Sequence, residues 1–248
     1  MKCEYCLEVK DLTVRYGDIL AVENVSFSLE KGKFYTIVGP NGGGKSTLVK
    51  TIVGVIDDYE GEIKIFGKER DEYLREKMIG YVPQMPSRIE FPIRVLDVVL
   101  MGLFRERRFR FRKEHIRRAM GALERVGMDG YASRLIHELS GGQRQRVMIA
   151  RAIVSEPEIL IMDEPTVGLD SESQARFYDL VKSFKGSGMT VIVVTHDVGF
   201  VSEYSDGILC INRKLVVHAT DVSELPERFF TKLYGYGVKT VVHNHGER

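Results

Sequence analysis

The chain has 248 residues, enough for one large domain or one domain carrying an inserted subdomain. Hydrophobic residues make up 44% and charged residues 29%, which excludes a mainly disordered chain and leaves material for a sizeable core. Lys and Arg number 36 against 35 Asp and Glu, so a net charge of +1 gives no ground for a general nucleic-acid binder. Three cysteines are too few for a disulfide framework, and reduced thiols in a cytosolic setting are the expectation. The opening stretch, MKCEYCLEVKDL, lacks an apolar centre and does not read as a secretory signal. No run approaches ~18 apolar residues, so a membrane role would need a partner chain.

Leu7, Val9, Leu12 and Val14 lie two or three apart, and Val25–Leu29 alternates cleanly; both segments read as half-buried antiparallel strands. Phe34–Val38 is wholly apolar and runs into a glycine-rich loop, as a buried strand would. Leu48, Ile52 and Val55 recur at helical spacing, predicting a helix over Lys45–Val53. Glu62–Phe66 alternates again and stops at Gly67. From Phe91 to His137 the pattern becomes helical, through Val95, Leu96, Val98, Val99 and Met101 and then Ile116, Ala119, Met120, Leu123 and Val126. This stretch reads as an all-helical insertion. A helix over Gly142–Val154, a strand at Ile159–Met162 and a helix from Ser171 follow, the last marked by the capping-box pattern Ser171–Gln174. A strand at Thr190–Thr195, a helix near Val198–Tyr204 and two short strands up to Val217 complete a strand–helix alternation that predicts a mostly parallel α/β sheet.

Gly39-Pro40-Asn41-Gly42-Gly43-Gly44-Lys45-Ser46 fits the phosphate-loop pattern G-x-x-x-x-G-K-[ST], expected by chance in roughly 1 of 100 chains of this length. It follows a predicted strand and opens a predicted helix. Glycines let backbone N–H groups face phosphate oxygens, and the helix N-terminus adds partial positive charge. In such loops the lysine, here Lys45, reaches the β and γ phosphates, and the serine, here Ser46, ligates Mg²⁺. The plain alternative is a glycine-rich turn. Ile159–Met162 delivers Asp163 and Glu164 at a strand end, where Asp163 would hold the Mg²⁺ shell and Glu164 would polarise the attacking water.

Leu139-Ser140-Gly141-Gly142-Gln143 resembles the signature of ATP-binding cassette proteins. The family's other motifs appear in order. Tyr16 is similar to the aromatic residue that stacks on adenine, and Gln84 to the Q-loop glutamine. Gly168-Leu169-Asp170 is similar to the D-loop and His196 to the switch histidine. The resemblance covers about residues 5–217. It implies a P-loop NTPase core with a mostly parallel sheet, an antiparallel β-subdomain and an inserted all-helical subdomain. One nucleotide-binding domain would span 1–248, with the helical subdomain at about 85–155 and a tail at about 220–248. It implies ATP bound by Tyr16, Gly39, Pro40, Asn41, Gly42, Gly43, Gly44, Lys45, Ser46, Thr47 and Gln84. Catalysis would fall to Glu164 and His196, and Mg²⁺ to Ser46, Gln84 and Asp163. Ser140, Gly141, Gly142, Gln143 and Asp170 would meet the ATP held by a second copy in a homodimer.

Read singly, Tyr16 could be a strand-end aromatic, Gln84 any polar loop residue and His196 a bland histidine. Cys3-Glu-Tyr-Cys6 is one C-x-x-C without a second pair, so incidental cysteines compete with zinc or redox chemistry. Arg105–Arg118 holds eight basic residues against Glu106 and Glu114, and reads as a solvated face rather than a lipid or nucleic-acid site.

The resemblance points to the ATPase subunit of an importer at the cytoplasmic face of the cell membrane. Integral permease subunits and an extracytoplasmic substrate-binding protein would be its partners, with no nucleic acid involved. Phe91–Gly102 and the tail ending in His243 and His245 resemble zinc, manganese and iron-chelate importer ATPases, zinc or manganese being the leading cargo. The tail histidines could bind zinc weakly or do nothing. An iron-chelate importer, a cofactor-assembly ATPase and a non-hydrolysing nucleotide-switched scaffold stand as alternatives.

Overall fold

The computed structural model describes residues 4–84, 92–106, 111–184, 188–196 and 205–219. The predicted helix near 198–204 and the histidine-bearing tail lie outside these residues.

Two sheets make up the frame. The first is four-stranded and antiparallel, in the order β2-β1-β4-β5, from β1 (Tyr5–Tyr16), β2 (Ile19–Glu30), β4 (Glu60–Ile65) and β5 (Lys68–Glu69). Leu7 and Val9 stand opposite Leu29 and Phe27 on one side and Ile65 and Ile63 on the other. The apolar phase of β1 slips between Val9 and Leu12 because the ladder bulges there. Asp11 sits in the bulge at φ 51. Its N–H donates to Ser26 Oγ at 2.8 Å, and that hydroxyl donates back to Asp11 Oδ1 at 3.1 Å.

The second sheet is six-stranded, ordered β10-β9-β3-β8-β7-β6. Its strands are β3 (Phe34–Val38), β6 (Gly80–Val82), β7 (Ile159–Asp163), β8 (Thr190–Val194), β9 (Gly207–Asn212) and β10 (Lys214–Ala219). All neighbours run parallel except the edge pair β9–β10. Every residue of β3, β7 and β8 is buried, as a sheet covered on both faces requires.

Six α-helices occur among the described residues: α1 (Lys45–Ile52), α2 (Arg70–Glu76), α3 (Val95–Leu100), α4 (Lys113–Arg125), α5 (Gly141–Ile153) and α6 (Ser171–Phe184). The six-stranded sheet separates two cores. Ile159 and Ile161 face Leu48 and Ile52 of α1 and the underside of the antiparallel sheet, including Leu7, Leu12 and Leu29. Leu160 and Met162 face the opposite way, onto Val99, Leu123 and Ile149 of the inserted helices and Phe177 and Phe184 of α6. The period-2 alternation of strands thus assigns alternate residues of β7 to different cores.

Three expectations need correction. Val55 does not continue the first helix, which ends at Ile52; it is 62% exposed beyond the helix. Ile116 leaves the buried face of α4 and is 42% exposed, while Ala119, Leu123 and Val126 are buried. The capping residue of α6 is Asp170, not Ser171: its carboxylate accepts the Ser173 N–H at 2.9 Å, the bond an N-cap makes to its third helical residue. α2 and β6 were not anticipated. α2 offers only Tyr73 and Leu74 to a periodicity search, and β6 is three residues long.

Candidate active site

The loop between β3 and α1 closes on itself because two of its glycines leave no room for a side chain. A Cβ on Gly39 would lie 1.9 Å from the Ile211 carbonyl oxygen, and one on Gly44 would lie 2.3 Å from that of Ala21. Both have positive φ, 155° and 89°, which L-residues with side chains avoid. The result is a cradle of backbone at the N-terminus of an eight-residue helix, the arrangement that attracts phosphate.

Lys45 lies under the cradle and is 4% exposed. Its ammonium donates to the carbonyls of Gly39 at 2.9 Å and Pro40 at 3.0 Å. It also lies 3.9 Å from Glu164 Oε1. Burial draws the Lys45 pKa down, and the charges of Glu164 and Asp163 oppose that shift.

β7 delivers both acids. Asp163 closes the strand, buried, and accepts a hydrogen bond from Ser46 Oγ at 3.1 Å. Burial pushes its carboxyl up, with the Ser46 bond acting against the shift. Glu164 follows at φ 45, its N–H donating to the Val194 carbonyl at 2.9 Å, so the turn out of β7 is locked to β8. His196, just past β8, brings Nδ1 to 4.0 Å from Glu164 Oε2 and is itself exposed. Lysine, two carboxylates, serine and histidine therefore converge at the C-terminal edge of the parallel sheet, where such folds place their ligands.

A cleft of about 400 Å³ opens there, lined by Ile19, Leu20, Ala21, Asn41–Thr47, Gln84, Glu164 and Arg213. Gln84 thus faces the phosphate loop. Tyr16 does not line this cleft but is exposed and pairs in register with Ile19, which does. Ile19, Leu20 and Ala21 were missed; their place just after Tyr16-Gly17 is the signal that could have found them. Arg213 was missed, because its place depends on a hairpin far along the chain.

Ser140, Gly141, Gly142 and Gln143 lie elsewhere. Ser140 caps α5 in a reciprocal box: its Oγ accepts the Gln143 N–H at 3.3 Å, and Gln143 Oε1 accepts the Ser140 N–H at 2.9 Å. Ser140, Gly142 and Gln143 border a separate small cavity of about 80 Å³ with Leu169, Ser173 and Arg176. The two cavities share no lining residue. A Cβ on Gly142 would come within 2.7 Å of Ser173 Oγ, so the N-termini of α5 and α6 touch. Asp170 accepts both the backbone N–H and the hydroxyl of Ser173 at 2.9 Å, and these bonds hold its carboxyl below the usual range.

Cys6 is fully buried, its thiol pointing at the Leu29 carbonyl 3.3 Å away; Cys3 lies outside the described residues. In the described part of the basic stretch, Lys113, Glu114 and Arg117 are exposed on the outer side of α4.

A family model described as ABC transporter matches residues 22–167. The chain belongs to this family. Among curated ABC relatives, the zinc transport system ATP-binding protein TroB of Treponema pallidum is 37% identical over 98% of this chain and 92% of its own length. The manganese transport system ATP-binding protein MntB of Listeria monocytogenes is 40% identical over 92% of this chain and 96% of its own. Of solved structures, an ABC transporter in an inward-facing conformation matches with TM-score 0.81 and 31% identity, covering 93% of this chain and 89% of that one. A dimeric post-hydrolysis ABC cassette bound to ADP and phosphate matches with TM-score 0.73 and 31% identity, covering 86% and 97%. The chain is an ABC ATPase, and cassettes of this kind form dimers.

Proposed function

We propose that this chain powers the import of zinc or manganese. The observation that carries this is the near-full-length similarity to ATP-binding proteins named for zinc and manganese transport. Among the described residues no helix is long and apolar enough to cross a membrane. The cargo would therefore pass through permease subunits, fed by a substrate-binding protein outside, with this ATPase held at the cytoplasmic face.

In the cleft, ATP lies with adenine against Tyr16 and its phosphates in the Gly39–Thr47 cradle. Lys45 exchanges its carbonyl contacts for phosphate oxygens. Mg²⁺ suits the oxygen donors Ser46 and Asp163, with Gln84 on the same cleft. When bound it neutralises charge on the phosphates. Glu164 orients and deprotonates the attacking water, and His196 supports Glu164 and the terminal phosphate. Because Ser140–Gln143 and Asp170 lie outside this cleft, they complete the site of a second copy, with the first-turn amides of α5 directed at its γ-phosphate.

The test is metal content. A strain lacking this chain should accumulate less zinc or manganese under chelator stress and recover when that metal is added. Unchanged zinc, manganese and iron content would overturn the cargo and leave the ATPase standing.

A further inference from the structure

The tip of the β9–β10 hairpin touches the phosphate loop. A Cβ on Gly39 would lie 1.9 Å from the Ile211 carbonyl oxygen, and one on Gly43 would lie 3.0 Å from it. At the tip, Arg213 adopts φ 59, and its backbone bonds in two directions. Its N–H donates to the Gly43 carbonyl at 2.8 Å, and its carbonyl accepts the Glu23 N–H at 2.7 Å. The next residue, Lys214, is engaged by Glu23 at 2.8 Å, on the β2 side. Arg213 has no ion pair among the described residues, and it lines the nucleotide cleft.

We propose that Arg213 is a nucleotide-binding residue whose guanidinium binds the phosphate chain of ATP in the cleft it shares with Lys45. The inference rests on ATP occupying this cleft. Three physical points favour it. The backbone of Arg213 is fixed to the loop that cradles the phosphates, so its side chain starts within reach of them. Lys45 must give up two carbonyl contacts to reach phosphate, whereas the Arg213 guanidinium has no ion pair to break among the described residues and carries a fork suited to phosphate oxygens. A cation on the wall of a narrow cleft also raises the local concentration of an anionic ligand.

The full chain carrying Arg213→Asn or Arg213→Lys tests this by calorimetric titration with ATP and with ADP at several salt concentrations. Asn tolerates the left-handed backbone of the tip, so the turn is retained. Arg213→Asn should weaken both nucleotides roughly tenfold and flatten the dependence of affinity on salt, with the unfolding midpoint of the nucleotide-free protein unchanged. Arg213→Lys should restore the salt dependence but only part of the affinity, since lysine keeps the charge and lacks the fork. Parental affinity in Arg213→Asn, or a loss that leaves the salt dependence unaltered, would overturn the assignment. Failure of the parental protein itself to bind ATP would instead count against the cleft as a nucleotide site.

Discussion

Lys45 is held by the carbonyls of Gly39 and Pro40 and faces Glu164, so the ligand that takes it must offer more negative charge than they do. Removing the ammonium with Lys45→Ala should abolish measurable ATP binding, as read by titration. Glu164→Gln is the complementary change, since it keeps the shape and the binding groups and removes the base. Turnover should fall roughly 10²–10⁴-fold while ATP binding persists and a closed dimer accumulates on size exclusion. Parental turnover in that variant would remove Glu164 from the chemistry. Arg70 is a structural counterpart. It is buried, donates to the carbonyls of Thr51 and Ile56, pairs with Asp57 and Asp71, and lies over the Tyr59 ring. Arg70→Ala removes one hydrogen bond each from the buried Thr51 carbonyl and the half-buried Ile56 carbonyl together with the pairing to Asp57 and Asp71, and should cost about 2–3 kcal/mol in chemical denaturation, with the ATP affinity of the folded fraction intact.

At the scale of elements, the N-termini of α5 and α6 are in close contact. Gly142→Ala drives a methyl into Ser173 and should depress turnover without touching ATP binding to the chain's own cleft. Adding Ser173→Gly should restore part of the loss if crowding is the cause, and a double-mutant cycle on turnover measures it. Absence of any rescue would mean that Gly142 is required only for approach to the partner's nucleotide. The buried strands β3, β7 and β8 and the phosphate loop were legible, because short, largely apolar runs leading into a glycine-rich loop, a pair of acids or a histidine have few other readings. Short elements were not. β6 is too brief to show a period, and α2 has too few apolar residues. The cap of α6 was misplaced by one residue because Asp170 and Ser171 are both good caps, and only the Ser173 bonds decide between them. Glu164, Lys45 and Asp163 could be named from sequence because each sits at the end of a recognisable element. Arg213 could not, since its relation to Gly43 spans 170 residues of intervening chain and depends on the sheet order β9-β3.

For the molecule as a whole, burial has a signature at high pH. It pushes Tyr35, Tyr81 and Cys210 up to about 12, from ordinary values of 10.0 for tyrosine and 9.0 for cysteine. Tyr73 is raised as well. The folded chain keeps these protons after the unfolded chain has lost them. Their contribution to stability is therefore complete below about pH 9 and is lost as pH rises towards 12. Tyrosinate absorbance should show a late cooperative step coincident with loss of circular dichroism. Titration of every tyrosine near 10 with the fold intact would contradict the burial.

The junction of α5 and α6 has one more consequence. Gly142 lies against Ser173, and Asp170 holds Ser173 through both its backbone and its hydroxyl, so the starts of α5 and α6 are tied to one another. In the dimer proposed above, the surface offered to the neighbour's nucleotide would therefore engage or release as one piece, and hydrolysis would act on the pair in steps rather than by degrees.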